Sequence, residues 1–137
     1  DGAAKRFAYM FSDGGYEVVT CGKTRIGDER KVSIQDGSCE GKDVLIVDDL
    51  VQTGGTLYEC GCALRAAGAK NVSAYVPHAV FPKESWKRFL STGDRNCFDK
   101  FYITNSIPTT VKQIPDNESF EVLDMVSQII EDIDSFC

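Results

Sequence analysis

The sequence predicts an α/β domain whose mainly parallel sheet is flanked by helices. Two apolar runs, Val44–Val47 and Val72–Val76, have the length and β-branched composition of strands buried on both faces. Between them, apolar residues recur at helical spacing as far as Gly68, a residue suited to ending a helix: Leu57, Cys60, Leu64 and Ala67. Strand, helix and strand joined by short connections form a right-handed βαβ unit, which implies a parallel sheet.

The flanking segments extend this order. The patterning predicts two early strands separated by a polar, exposed flap over residues 22–30, and an amphipathic helix that closes the chain and packs its apolar stripe on the sheet or on a partner. The remaining elements predicted around the βαβ unit are a helix over Ala3–Phe11, strands over Tyr16–Cys21, Lys31–Gln35 and Phe98–Thr104, and helices over Glu84–Leu90 and Phe120–Ile133.

Size and composition narrow the class of protein. At 137 residues, with 42% hydrophobic and 26% charged residues, the chain predicts one globular domain. A net charge of −6 argues against a nucleic-acid partner, because phosphate backbones select basic surfaces. No apolar run is long enough to span a bilayer, and residues 1–6 do not resemble a signal peptide, so we expect no membrane partner and a cytoplasmic location.

The cysteines predict neither a disulfide framework nor a zinc site. Their spacings are irregular, and Cys60 and Cys62 stand two apart on a predicted helix, where side chains point to different faces. We therefore expect reduced thiols that act as small hydrophobic residues at Cys21, Cys39, Cys60, Cys62 and Cys97.

The end of the first apolar strand carries the most informative motif. Asp48 and Asp49 follow the strand, and the turn Thr53–Thr56 then leads into the helix. A helix N-terminus offers unpaired N–H groups and a favourable dipole to a phosphate, and glycine lets the anion approach. The acid pair suits vicinal sugar hydroxyls or Mg²⁺. Without a Gly-Lys-Ser/Thr sequence, this is not a P-loop. The pattern predicts a sugar-phosphate site.

These residues resemble a known family. Val44–Thr56 is similar to the ribose-phosphate loop of the type I phosphoribosyltransferase fold, and most similar to that of the phosphoribosyl pyrophosphate synthases. Gln52, where many members carry an acid, and the segment Val80–Trp86 resemble the plant-type class II enzymes. Further similar segments run through most of the chain: Asp1–Ala3, Lys23–Arg25, Val76–Phe81 and Thr104–Pro108.

The resemblance implies a fold with a β-flap and a single domain, residues 1–137, that corresponds to the C-terminal half of the synthase. It implies transfer of the diphosphoryl group of ATP to the C1 hydroxyl of ribose 5-phosphate, giving phosphoribosyl pyrophosphate and AMP, with Mg²⁺ as cofactor. Because the N-terminal half is absent, we expect the chain alone to be inactive. The implied roles are ribose-5-phosphate binding by Asp48, Asp49, Gln52, Thr53, Gly54, Gly55 and Thr56, catalysis by Lys23 and Arg25, and metal binding by Asp1.

Two alternatives remain open. A phosphoribosyltransferase consumes phosphoribosyl pyrophosphate and shares the loop, and a non-catalytic subunit could regulate an active synthase. The resemblance also implies that the full-length enzyme is a homo-oligomer. The roles of His78 and of Thr104–Ser106, which follow two of the predicted strands, stay open between ligand contacts and local structure.

Overall fold

The computed structural model describes residues 16–26, 29–90, 97–116 and 118–135, with only the backbone course for residues 24–26, 29 and 30. The predicted helix Ala3–Phe11 lies outside the described residues. The strands are β1 (Thr20–Ile26), β2 (Glu29–Asp36), β3 (Asp43–Val47), β4 (Leu50–Val51), β5 (Asn71–Val76), β6 (His78–Ala79), β7 (Lys100–Thr104) and β8 (Phe120–Leu123). The helices are α1 (Gly55–Ala66), α2 (Pro108–Gln113) and α3 (Met125–Asp134), with a 3₁₀ segment over Pro82–Phe89.

A four-stranded parallel sheet confirms the predicted fold class. Its order is β3-β5-β7-β8, and α1 connects β3 to β5 as the predicted βαβ unit. Gly68, with φ of 90°, ends the α1 connection as predicted. One detail is wrong: β3 is an edge strand in the described sheet, and Leu45 is 47% exposed, so this strand is not buried on both faces.

The predicted flap is a β-hairpin. β1 and β2 pair antiparallel from Thr20↔Asp36 to Ile26↔Glu29. The predicted bounds of the first strand, Tyr16–Cys21, are wrong, because residues 16–19 form no regular element and the strand instead continues into the polar flap as far as Ile26. A hairpin can be polar since cross-strand backbone hydrogen bonds, rather than burial, hold its strands together.

Aromatic side chains form the centre of the core. Phe89 and Phe101 are both fully buried with ring centroids 4.8 Å apart, and Phe81 lies 5.7 Å from each. Burying one such ring contributes about 1.5–3 kcal/mol, and ring pairs in tilted or edge contact add to it. This cluster therefore fastens the segment after β6 onto the sheet beside the start of α1.

The segment that carries Phe89 differs from its prediction. An amphipathic helix was expected over Glu84–Leu90, but residues Pro82–Phe89 form a 3₁₀ segment broken by left-handed backbone at Lys83 and Glu84, whose φ values are 54° and 56°. The apolar side of the prediction is correct, since Trp86 is buried with Phe89. Burial of the aromatic rings outweighs the cost of the strained residues that precede them.

The predicted closing helix is two elements. Phe120–Leu123 pairs with β7 as the strand β8, and Asp124 then caps α3 by accepting the Ser127 N–H. The apolar residues of this strand and helix together follow the spacing of one continuous helix. The boundary between Leu123 and Met125 was missed for that reason. No residue of α3 is buried, and Ile130 and Ile133 are 54% and 57% exposed, so α3 does not pack on the sheet, and its packing on a partner stays a prediction.

The cysteine prediction is partly wrong. Cys62 on α1 and Cys97 before β7 form a disulfide, with Cα atoms 5.0 Å apart although the residues lie 35 positions apart in sequence. Cys21, Cys39 and Cys60 are free thiols, as expected. Burial and contact with the neighbouring Cys21 thiol raise the pKa of Cys60 to about 12, so this thiol stays protonated near neutral pH.

Within the described ranges, no helix has both the length and the apolar character that a membrane crossing requires.

Candidate functional site

The acid pair lies at the carboxyl end of β3, the edge of a parallel sheet where ligands collect. The Asp48 N–H donates to the Tyr75 carbonyl at 3.2 Å, and the Asp49 N–H donates to the Asp48 carboxylate at 3.0 Å. The Asp49 carbonyl accepts the His78 N–H at 3.3 Å. Both acids are exposed, so their carboxylates can meet a ligand from solvent.

The acid pair has a distinctive electrostatic state. Partial burial raises the pKa of Asp48 above its ordinary value, and the hydrogen bond and negative charge of the neighbouring Asp49 raise it further, against the lowering effect of the Asp49 N–H. Two adjacent carboxylates repel each other until a cation or hydrogen-bond donors approach. The pair is therefore suited to hydroxyl donors or to a divalent cation.

A short parallel pairing carries the chain from the acid pair to the turn Thr53–Thr56. β4 pairs with β6 through Leu50↔His78 and Val51↔Ala79, and Val51 is buried. Gln52 and Thr53 follow on the exposed surface. The predicted loop residues are thus brought together in one continuous structure, between the end of the sheet and the start of α1.

The turn presents the amides predicted from the sequence. Gly54 caps α1 with no side-chain cap, and the first helical hydrogen bond runs from the Tyr58 N–H to the Gly54 carbonyl at 2.9 Å. The N–H groups of Gly55, Thr56 and Leu57 have no acceptor among the described residues, and the first turn of α1 contains no acid. Open amides at the positive end of a helix dipole can bind an anion.

Gly54 is also required by the fold itself, and the role of the glycines in letting an anion approach stays a prediction. Gly54 has φ of 76°, and a Cβ there would lie 2.6 Å from the Phe89 ring. It must be glycine because of the backbone conformation and the core beneath it, in addition to any need for ligand access. The turn is therefore seated directly on the aromatic core.

The hairpin brings a predicted catalytic residue to the turn. Lys23, on β1, donates from Nζ to the Thr56 hydroxyl at 2.9 Å, although the two residues are 33 positions apart. Arg25 lies further along the same strand, where its backbone pairs with Arg30, but its side chain lies outside the described part of the chain. Asp1, the predicted metal ligand, also lies outside it.

The residues after β5 and β7 form a hydrogen-bond network. The Thr104 and Ser106 hydroxyls donate to the Pro77 carbonyl at 2.7 and 2.9 Å, and the His78 Nδ1 lies 2.9 Å from the Ser106 oxygen. Asn105 instead accepts the Met125 N–H and donates to Asp124, which joins it to the start of α3. Local structure thus accounts for these contacts.

Sequence reasoning missed Arg88 as a neighbour of the turn. Its Nη1 lies 3.4 Å from the position that a Cβ on Gly55 would occupy. The segment Trp86–Phe89 was interpreted only as the apolar face of a helix, and no spacing rule links it to residues 54 and 55. The only available signal was the presence of a basic residue directly before a core aromatic.

The chain is similar in sequence to proteins of one known family. Residues 18–114 match the phosphoribosyl transferase domain family. The chain is 50% identical over 134 residues to Ribose-phosphate pyrophosphokinase 4 of Oryza sativa subsp. japonica, covering 96% of this chain and 41% of that protein. It is 48% identical over 132 residues to the chloroplastic Ribose-phosphate pyrophosphokinase 3 of Arabidopsis thaliana, covering 94% and 32%.

A solved structure is also similar. The crystal structure of phosphoribosylpyrophosphate synthetase from Mycobacterium smegmatis superposes with a TM-score of 0.75 and 26% identity, covering 99% of this chain and 42% of that chain. The chain thus spans about two fifths or less of the length of these relatives.

Proposed function

This chain belongs to the phosphoribosyl transferase domain family, and on that premise we propose that it forms the ribose-phosphate half of a ribose-phosphate diphosphokinase. The reaction moves the diphosphoryl group of ATP to the C1 hydroxyl of ribose 5-phosphate and releases AMP. The observation that carries the proposal is the hydrogen bond from Lys23 to Thr56, since it places a cation from a separate hairpin at the mouth of the anion-binding turn.

Ribose 5-phosphate fits the two halves of the site. The 5-phosphate takes the open amides of Gly55 and Thr56 and the two threonine hydroxyls of the turn. The Asp48 and Asp49 carboxylates accept hydrogen bonds from the ribose hydroxyls. Gln52 lies in sequence between the acid pair and the turn, and its side chain is neutral. The loop therefore carries one negative charge fewer than a loop with an acid at position 52.

Diphosphoryl transfer needs positive charge more than covalent help. The C1 hydroxyl oxygen bonds to the β-phosphorus of ATP as the bond from that phosphorus to the bridging oxygen of the α-phosphate breaks. AMP leaves with that oxygen, the hydroxyl proton passes to solvent, and negative charge spreads over the oxygens of the transferred group. Lys23, and Arg25 from the same strand, supply positive charge to that group when the hairpin lies over the turn. Removing one of these cations reduces the rate on the order of 10³-fold, by analogy with arginines that stabilise the transition state of phosphoryl transfer in other enzymes.

The residues present fit Mg²⁺ in part. The described ranges contain no cluster of three or more metal-binding side chains, but Mg²⁺ commonly binds through one or two carboxylates together with water and substrate phosphates. Asp48 and Asp49, whose mutual repulsion is unrelieved by a cation among the described residues, would hold it with Asp1. When bound, it supplies neutralisation of phosphate charge.

A phosphoribosyltransferase is the second candidate, because the matched family carries that name and the same loop serves both reactions. Such an enzyme would consume phosphoribosyl pyrophosphate and join the ribose to a base. The relatives named as pyrophosphokinases, together with the Lys23 contact, favour the diphosphokinase. The retained acid pair and cation also favour an active protein over a regulatory subunit.

The experiment transplants this chain into a relative. Replacing the matched segment of the rice pyrophosphokinase with this chain, at 50% identity, produces a chimera that we expect to form AMP and phosphoribosyl pyrophosphate from ATP and ribose 5-phosphate. The chain alone should bind ribose 5-phosphate in calorimetry but form no AMP. Lys23→Ala in the chimera should lower the rate on the order of 10³-fold.

The matched control is Lys42→Ala. Lys42 is an exposed lysine paired with Glu17, and it precedes the opposite, amino end of β3. Its removal should leave the rate unchanged. A folded chimera that converts a base and phosphoribosyl pyrophosphate to a nucleotide, but makes no AMP, would establish the second candidate instead.

Compartment and assembly are further expectations. A cytoplasmic location is proposed from the sequence, although the names of two relatives place them in the chloroplast and the mitochondrion. Self-association is proposed for the complete enzyme, and sedimentation of the chimera tests it.

A further inference from the structure

Two consecutive residues of the 3₁₀ segment pack on two consecutive glycines of the turn. The Phe89 ring lies under Gly54, at 2.6 Å from the position of a Cβ, and the Arg88 Nη1 lies 3.4 Å from the corresponding position at Gly55. Phe89 is fully buried and fixes the segment, whereas Arg88 is exposed. The core thus holds an exposed guanidinium beside the first amide of α1.

The charge of Arg88 is unpaired. Within the described part of the chain it takes no hydrogen bond or ion pair, while its neighbour Lys87 pairs with Glu84 and lies 5.6 Å over the Trp86 ring. The two adjacent cations therefore have different surroundings. Lys87 is engaged within its own segment, and Arg88 is directed to the turn.

Positive groups gather at this point of the described structure. The helix dipole, the Arg88 guanidinium and the Lys23 ammonium converge on the first turn of α1, which contains no acid, in a chain of net charge −6. A cation at a helix N-terminus is unfavourable by itself. The arrangement becomes favourable once an anion binds between these groups.

We infer that Arg88 is a specificity residue of the ribose-phosphate site and contacts the 5-phosphate of the ligand, an assignment that rests on the proposed function. Its planar fork donates two parallel hydrogen bonds to phosphate oxygens, which the point charge of Lys23 cannot do. Lys23 comes from the hairpin and Arg88 from the 3₁₀ segment. The 5-phosphate is therefore bound by the amides of the turn and by a guanidinium from an element remote in sequence, and a pentose without phosphate gains nothing from Arg88.

Calorimetry on the 137-residue chain tests this assignment with ribose 5-phosphate, inorganic phosphate and unphosphorylated ribose. Arg88→Ala should weaken binding of ribose 5-phosphate about tenfold and weaken inorganic phosphate similarly, because charge-assisted hydrogen bonds are lost. Weak binding of ribose should not change. Arg88→Lys keeps the positive charge but loses the planar guanidinium. Its affinity for ribose 5-phosphate should therefore lie between those of the wild-type chain and of Arg88→Ala.

The matched control is Lys87→Ala, which removes a cation one residue away and should leave all three affinities unchanged. The melting temperature of each variant shows whether the substitution destabilises the packing around Phe89. Since Arg88→Lys retains the long stem, it tests the assignment even if Arg88→Ala disturbs the fold.

The outcomes separate the assignment from the proposed function. If the wild-type chain binds ribose 5-phosphate and both Arg88 variants bind it equally well, the assignment is overturned and the proposed function stands. If the wild-type chain binds inorganic phosphate through Arg88 but shows no preference for ribose 5-phosphate, the anion contact is supported and the proposed function fails. If Lys87→Ala weakens binding as much as Arg88→Ala, general surface charge explains both effects and the assignment is overturned.

Discussion

The turn Thr53–Thr56 and the acid pair Asp48–Asp49 are the two halves of the proposed site, but they are built differently. Gly54 is buried on the Phe89 ring, and Thr56 is bonded to Lys23 of the hairpin. The acids are exposed and are positioned by backbone hydrogen bonds to Tyr75 and His78. Packing on the core therefore fixes the geometry of the turn before any ligand binds, whereas the ligand affinity of the exposed acids depends on their ionisation.

This difference matches the chemistry of the two ligand groups that we propose for the site. A phosphate is recognised by several donors at fixed positions, and pre-organised amides lose little entropy when it binds. Sugar hydroxyls are recognised by acceptors whose ionisation must be maintained. Packing changes should consequently disable the turn, and changes in charge or pH should disable the acid pair.

The largest effect is expected for Gly54→Ala. The left-handed backbone costs roughly 1–2 kcal/mol, and overpacking against Phe89 costs about 1–3 kcal/mol more. The free energy of unfolding, measured in urea, should therefore fall by about 2–5 kcal/mol. Binding of ribose 5-phosphate should be lost.

Gly41→Ala is the matched control, because Gly41 has φ of 69° and nothing lies within 4 Å of its Cβ position. It should show the backbone cost alone. Equal destabilisation by the two substitutions would mean that Phe89 yields without penalty, and the turn would not be fixed by the core.

A smaller effect is expected for the double change Asp48→Asn and Asp49→Asn. Affinity for ribose 5-phosphate should fall about ten- to hundredfold, because charged acceptors are replaced, while affinity for inorganic phosphate should not fall. Calorimetry measures both. Asp43→Asn, at the other end of β3, is the control. Equal losses for the two ligands would show that the two halves of the site are not separable.

The smallest effect is a pH shift at Asp48. Because the pKa of Asp48 is raised in the folded chain, the folded state binds its proton more tightly than the unfolded state. Stability from this group therefore increases as the pH falls from the folded pKa towards 3.8, while sugar binding weakens over the same range.

Carboxyl NMR titration measures this shift. Asp48 should titrate at a higher pH than Asp124, whose pKa is lowered by hydrogen bonds from the Ser127 hydroxyl and N–H and from Asn105. Mg²⁺ should move the Asp48 midpoint downward if the pair binds it. The reverse order of titration would contradict the electrostatic account of the acid pair.

The parts of the fold with strong local signals were predictable. The apolar run of β3, the glycine turn and the helical spacing of α1 each specify an element from neighbouring residues, and the structure has all three. The extension of the two hairpin strands into residues 22–30 was missed because these residues are polar. β8 was missed because its apolar residues continue the spacing of α3.

For the site, the sequence alone was enough to place two acids and a glycine turn with open amides on one strand–turn–helix unit, because hydrogen bonding and chain direction link these residues locally. Only the tertiary structure joined Lys23, Arg88 and Phe89 to that unit and paired Cys62 with Cys97. These contacts span 33 to 35 residues and depend on how the hairpin and the aromatic core fold back onto α1. The periodicity of apolar residues along the chain does not indicate that these distant segments pack against α1.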